Sequence, residues 1–326
     1  MKLLFVADAL ATFKPHKDST FAMMREAQQR GFEVFHCTPE QLSWRSAEPV
    51  QAQVTPIALK DQAEHLFAGG GWWESLSSMV QLPLKEFAAV LMRKDPPFDS
   101  EFVYSTYILE RAEQEGVLVA NRPQSLRDCN EKMFATAFPD LMSPTLVTRR
   151  ADLLKAFHAE QGDVIFKPLD GMGGSSIFRL KEDDPNVSVI IETLTNHGSQ
   201  QIMAQKFIPA ITEGDKRILM IDGEPVPYTL ARIPAKGETR GNLAAGGRGE
   251  TRPLSDADRK IADIVGPELK RRGLYFVGLD VIGDCLTEIN VTSPTCVREI
   301  SRDSGIDVAG QLIDRLLQIR SNGVDK

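Results

Sequence analysis

The apolar pattern of this chain changes period part-way along, and that change constrains the fold more than any other feature. Over the first third, strand-like runs alternate with helical ones. Residues 2–7 read as a strand, and Phe21, Met24 and Ala27 recur at helical spacing between a cap at Asp18 or Ser19 and a stop at Gly31. Residues 32–37 and 88–92 read as strands, 99–116 as a helix and 117–121 as a further strand. Such alternation builds a parallel, doubly wound sheet. After a helix over 125–138, an extended piece at 141–148 and a helix over 151–159, hairpins take over. A strand-loop-strand unit starts at Asp163, two strands flank the Asp222-Gly223 turn, and a last pair spans 276–290. Ser255 with Asp258 reads as a capping-box start to a helix ending at Gly273, and Val308, Leu312, Leu316 and Ile319 give a closing helix its apolar face. Residues 41–83 are weakly patterned, with Gly69-Gly70-Gly71 marking a loop. More than one domain is expected, because 326 residues exceed the roughly 250–300 that a single core holds.

A net charge of -7 gives no long-range attraction for nucleic acid or an anionic membrane, so neither is an expected partner. The first eight residues carry one positive charge and too short an apolar run for a signal peptide, and no stretch approaches the roughly 20 apolar residues of a membrane span. The four cysteines lie far apart, with no CxxC pair, which fits reduced thiols in a cytoplasmic protein.

Three groups of residues carry chemistry. The first is Lys167-Pro168-Leu169-Asp170-Gly171-Met172-Gly173-Gly174. Its lysine precedes the glycines and a strand follows, the reverse of a P-loop. Glycines at a hairpin tip let backbone N–H groups approach an anion, with Lys167 supplying a point charge from the strand. The second is the hairpin holding Asp280, Glu288 and Asn290. Glu288 and Asn290 share a strand face, and Asp280 joins them only in one register. A two-residue turn at Gly283-Asp284 pairs Asp280 with Thr287, whereas a three-residue loop sets Asp280 opposite Glu288. Facing carboxylates repel unless a cation lies between them, which points to Mg²⁺ shared with substrate phosphates. The third is a set of arginines, Arg217, Arg232, Arg240 and Arg248, around the glycine-rich segment 236–249, whose length suits an active-site lid. The histidines form no catalytic motif.

Together these describe phosphoryl transfer without naming an acceptor. With "DGMGG", "ARIPAKGETRGNLAAGGRGE", "GLDVIGDCLTEINVTSPT", "RKDPPFD" and "NRPQSLRDCNEK", the chain resembles ATP-grasp ligases and, among them, the bacterial glutathione synthetase family, over nearly its whole length. The resemblance implies an α/β (α+β) ATP-grasp fold. Residues 1–122 would form an N-terminal doubly wound parallel-sheet domain, 123–203 a small central lid domain, and 204–326 a C-terminal antiparallel-sheet domain with a mobile loop at 233–249. It implies ATP binding by Lys132, Lys167, Asp170, Gly171, Gly173, Gly174, Gln205, Phe207, Ile208 and Asp215. Mg²⁺, with Mn²⁺ as an alternative, would sit on Asp280, Glu288 and Asn290. Catalysis would fall to Arg217, Arg232 and Arg240, and substrate binding to Arg93, Ser293, Pro294 and Thr295. The implied reaction joins γ-glutamylcysteine to glycine through an acyl phosphate, in a cytoplasmic homo-oligomer, a tetramer. Another carboxylate–amine ligase, D-alanine ligase-like or glutamate-adding, and a non-catalytic ATP-binding regulatory module are the alternatives.

Overall fold

The computed structural model describes residues 1–61, 71–171, 173–238, 240–241, 243 and 246–324. Gly69 and Gly70 of the expected loop, Met172 of the glycine hairpin, and residues 239, 242, 244 and 245 of the expected lid lie outside the described residues.

Three sheets organise the chain. In the first, Lys2–Val6 lies between Glu33–Cys37 and Ala89–Met92, both parallel to it, and Val119–Ala120 extends the parallel set. Parallel strands buried on both faces read as continuous apolar runs, as Leu3, Leu4, Phe5 and Val6 do. The sheet is not wholly parallel, however. Gln51–Leu59 pairs antiparallel with Glu33–Cys37 and carries Leu42–Ser43, Trp73–Ser75 and Val80–Pro83, so the weakly patterned 41–83 region supplies a mixed edge. Trp72 anchors this edge, fully buried, stacked on Phe13 and edge-on to Phe21.

The second sheet runs Phe178–Leu180, Val164–Pro168, Ile202–Lys206, Thr145–Thr148, antiparallel throughout. Helices Ala151–Gln161 and Val187–Leu194 supply Leu154, Ile191 and Leu194 to its small core. Because Ile202–Lys206 is one strand of this sheet, a border between 203 and 204 would cut it; the sheet closes after Lys206. The third runs Arg248–Pro253, Glu224–Ile233, Asp215–Ile221, Phe276–Ile282, Cys285–Asn290, also antiparallel. Its Ile218, Val277 and Leu279 pack in one cluster with Leu4, Val6 and Val90 of the first sheet.

The expected helix over 125–138 is broken. Pro123–Asp128 is helical, and the Asn130 side chain then accepts the Lys132 and Met133 N–H groups, an Asx turn that ends the helix before a short 3-10 turn at Phe134–Ala137. Elsewhere the expected signals act as read: Asp18 caps Ser19–Gln29, Ser255 and Asp258 close a capping box on Asp256–Arg271, and Val308–Val324 closes the chain.

Candidate active site

The glycine loop forms the tip of the hairpin in which Phe166 pairs with Phe178. Gly171, Gly173 and Gly174 have φ of 93°, 71° and 78°, a left-handed path that side chains with a Cβ resist. Strand alternation sends Phe166 into the small core and Lys167 the other way, and both are buried. Lys167 Nζ stands 3.8 Å from Glu288 Oε1, and Lys132 Nζ stands 3.5 Å from the same oxygen while donating to Gly171 O at 3.3 Å. Burial lowers the Lys167 pKa and the Glu288 carboxylate opposes that pull. Two ammonium groups thus converge below the glycine tip at distances longer than close ion pairs.

Opposite them, the hairpin register combines features of both expected alternatives. The turn is the two-residue one, Ile282 facing Cys285, yet Asp280 faces Glu288 because a bulge makes Thr287 the extra residue. The Thr287 hydroxyl donates to Asp280 O at 3.1 Å. The cations beside these carboxylates are side chains. Arg217, the register partner of Asp280 on the next strand, donates to it from Nε at 2.6 Å and Nη2 at 3.1 Å. Arg232 Nη2 lies 2.9 Å from Asp280 and 2.6 Å from Asp215. Burial alone would raise Asp280; the two guanidiniums outweigh it and hold the carboxyl well below the usual range. Asp215 is raised, by burial first and then by the neighbouring Asp280 and Glu288 charges, against the pull of Arg232. Arg217 can lie flat here only because residue 278 is glycine: a Cβ there would stand 2.7 Å from Arg217 Cδ.

At the end facing the first sheet, Arg93 is buried at the carboxyl end of Ala89–Met92. It donates to Thr20 Oγ1 at 3.1 Å and to Pro294 O at 3.0 Å, and burial lowers its pKa to about 10. Ser293, Pro294 and Thr295 turn the chain into Val297–Ser304 past Cys296, whose φ is 83° and whose thiol burial pushes up. Arg240 pairs with Glu238 at 2.8 Å and reaches Gly174 O at 3.4 Å. Gln205 bonds Thr145 at 3.0 Å, and the Arg179 guanidinium stacks 3.5 Å over the Phe207 ring. Of the residues expected at the site, Asp170 and Ile208 included, all line one cavity of about 550 Å³ except Arg248, which lies outside it, exposed and paired with Glu250 at 3.4 Å.

The donor set fits a hard cation. Asn290 uses its Nδ2 on Gly278 O at 3.2 Å, which leaves its oxygen for the cavity, and among the described residues Glu288 holds the two long lysine contacts alone. Asp280 takes two of its arginine contacts on Oδ2 and one on Oδ1, so Oδ1 keeps an acceptor site with which it can join them. No cluster of three or more His, Cys, Asp or Glu suited to a metal occurs among the described residues, so phosphate oxygens would have to complete an octahedral shell.

Known proteins carry the same organisation. The family model described as "Prokaryotic glutathione synthetase, N-terminal domain" matches residues 1–127, and "Prokaryotic glutathione synthetase, ATP-grasp domain" matches 131–305. The chain belongs to the prokaryotic glutathione synthetase family. It is accordingly an enzyme, an ATP-dependent ligase. Proteins named glutathione synthetase from Vibrio parahaemolyticus and Pseudomonas syringae pv. tomato are 59% and 57% identical over 316 residues, 97% of this chain and 98% and 97% of theirs. The fold matches a crystal structure of the D-cycloserine synthetase DcsG, with TM-score 0.66 at 14% identity over 98% of this chain and 100% of that one. It also matches the ATP-grasp ligase PsnB complexed with minimal precursor, Mg and ADP, with TM-score 0.60 at 19% identity over 98% of each chain.

Sequence reasoning missed part of the cavity. Asp18, Ser19 and Thr20, at the start of the first helix, line it, and so do Asp8, Asp95 and Glu131. The usable signal was topological: in open α/β sheets, ligands bind beyond the carboxyl ends of the strands, where Asp8 and Arg93 follow Lys2–Val6 and Ala89–Met92. The four cysteines are free, and no helix among the described residues is long and apolar enough to cross a membrane.

Proposed function

We propose that this family member joins γ-glutamylcysteine to glycine, giving glutathione, ADP and phosphate, with Mg²⁺ as the metal, in a cytoplasmic homo-oligomer. The observation that carries the reading is the meeting, in one cavity, of two lysines and a glycine tip with a fixed arginine–carboxylate cluster. The four-stranded sheet acts as the lid unit, ending after Lys206, and the five-stranded sheet as the catalytic unit.

A carboxylate is a poor electrophile, so the peptide carboxylate oxygen attacks the γ-phosphorus of ATP. The bond from that phosphorus to the bridging oxygen breaks, ADP leaves, and an acyl phosphate remains. The glycine nitrogen, losing a proton, then attacks the acyl carbon, and the carbon–oxygen bond to phosphate breaks. Lys132 and Lys167 grip the nucleotide phosphates, with backbone N–H groups of the Gly171–Gly174 tip over them, while Asp170, Gln205, Phe207, Ile208 and Asp215 complete the ATP pocket. Glu288 and Asn290, joined by Asp280, would hold Mg²⁺, which neutralises charge on the phosphates. Arg217 and Arg232 steady the oxyanion of the second step, where one well-placed donor is worth ~3–4 kcal/mol. Arg240 extends that cover from the segment next to the glycine tip. Arg93, with Ser293, Pro294 and Thr295, receives the peptide.

Incubation with ATP, Mg²⁺, γ-glutamylcysteine and glycine tests the reading, with ADP and glutathione as readouts. Glycine-dependent release of both is expected. ADP release only with D-alanine or glutamate as acceptor would assign a sister ligase, and nucleotide binding without turnover in any mixture would leave a regulatory module.

A further inference from the structure

Glu131 lies where the nucleotide side and the metal strand meet. Its backbone carbonyl accepts from Ile289 N at 2.9 Å. Its Oε1 accepts from Val291 N and Thr292 N, both at 3.2 Å, and from the Thr292 hydroxyl at 2.7 Å. The residues on either side of Asn290 are therefore tied to one glutamate. The next residue is Lys132, whose N–H is fixed by Asn130 Oδ1 at 3.2 Å and whose Nζ lies between Gly171 O and Glu288. Beyond Thr292 the same segment reaches Pro294, whose carbonyl holds Arg93. Val291 is fully buried and Thr292 nearly so, so the donors that Glu131 satisfies have little access to water. A carboxylate accepting three hydrogen bonds is a rigid joint, because each bond is charge-assisted and the group cannot turn without losing them.

We infer that Glu131 is a positioning residue: it sets Lys132 in register with the end of the metal strand and so pre-forms the grip on the nucleotide. Side chains held by such supporting contacts lose affinity when the support goes, even with the gripping group intact. The inference rests on the reading of Lys132 as a phosphate ligand.

The test is a double-mutant cycle on ADP binding in the presence of Mg²⁺, measured by titration calorimetry on the full chain. Glu131→Gln is expected to weaken ADP binding about 10-fold in the wild-type background and less than about 2-fold in the Lys132→Ala background, since residues acting as a unit are non-additive. Thr292→Val, which removes only the hydroxyl donor, should follow the same pattern at about 3-fold, and it carries the comparison alone if Glu131→Gln does not fold. A purely structural glutamate would lower the melting temperature and leave the non-additivity absent. Equal losses in both backgrounds, or none in either, overturn the inference. If Lys132→Ala alone leaves ADP affinity unchanged, the phosphate role of Lys132 falls first and that of Glu131 with it.

Discussion

The two sheets that face each other across the cavity are held in place by different amounts of core. The five-stranded sheet shares its apolar packing with the N-terminal sheet, Val277 and Leu279 lying in one cluster with Leu4 and Val90, and Leu219 and Ile221 in another with Phe5 and Leu312. The four-stranded sheet has a separate core built on Leu154, Phe166, Ile191 and a few neighbours. The polar contacts that line the cavity also differ in length. On the five-stranded side, Arg217, Arg232, Asp215 and Asp280 interlock at 2.6–3.1 Å. Lys167 on the four-stranded sheet, and Lys132 in the segment before Phe134–Ala137, stand 3.3–3.8 Å from their oxygens. Charges built into a rigid unit are pre-organised for the transition state, whereas a loosely held pair of lysines is free to exchange its carboxylate for phosphates. On the proposed function, the chemistry belongs to the five-stranded side, and the grip is shared between Lys167 of the small sheet and Lys132, whose neighbours Phe134 and Ala135 lie in the shared core.

The largest expected effect comes from disturbing the fixed side at a point that does not touch nucleotide. In Gly278→Ala the new methyl meets Arg217 Cδ at 2.7 Å and Pro294 Cβ at 3.0 Å, so the Arg217 side chain has to shift toward the cavity that it lines. Arg217 must tilt off Asp280, and turnover should fall about 100-fold, the scale of losing one oxyanion contact. ADP affinity, measured separately, should change less than about 3-fold if the lysine grip is independent. A parallel loss of both would erase the division between the two sides.

Next in size is a pair of core truncations. Phe166→Ala and Leu279→Ala each remove a buried side chain, at a cost of about 2–5 kcal/mol. Leu279 lies in the shared core, so its loss should appear in global unfolding by denaturant. Phe166 lies in the separate core, so its loss should appear as faster hydrogen exchange across Thr145–Thr148 and Ile202–Lys206, with global unfolding nearly unmoved. Equal effects of both variants on global unfolding would mean that the two sheets form one cooperative unit.

How far the sequence revealed this division follows from which signals are local. The glycine hairpin and the direction of Lys167 needed only period-two alternation and the absence of Cβ atoms. The Asp280–Glu288 hairpin could be narrowed to two registers and no further, because nothing in the letters marks Thr287 as a bulge. Reasoning from charge expected a metal between the carboxylates and did not foresee that Arg217 and Arg232, from the strands next door, also neutralise Asp280; that pairing is long-range and has no local signature. The edge strand Gln51–Leu59 does alternate, with Ala52, Val54, Ile57 and Leu59 buried, but Pro56 interrupts the run and hid it. A single side chain, Asn130, ended the helix expected to run on to 138.

The smallest expected effect tests whether the N-terminal wall of the cavity belongs to the fixed side. Burial pushes the Asp18 carboxyl up to about 6, against the Phe21 N–H bond and the Arg93 charge that favour its ionised form. The unfolded chain releases this proton near pH 4, so between about pH 4 and 6 the folded state holds a proton that the unfolded state has lost. Stability contributed by the neutral form is therefore present at pH 4 and lost as pH rises through 6. Asp18→Asn keeps a good helix cap and removes the titration. Relative to the parent, the variant should be equally stable near pH 4 and more stable by on the order of 1 kcal/mol at pH 7.5, a figure reduced for the partial exposure of the site. Because Phe21 and its helix pack in the shared core, the gain should appear in global unfolding by denaturant and not in hydrogen exchange of the four-stranded sheet. A difference between variant and parent that does not vary with pH would show that Asp18 is ionised throughout, and a gain confined to the small sheet would move this wall of the cavity to the other side of the comparison.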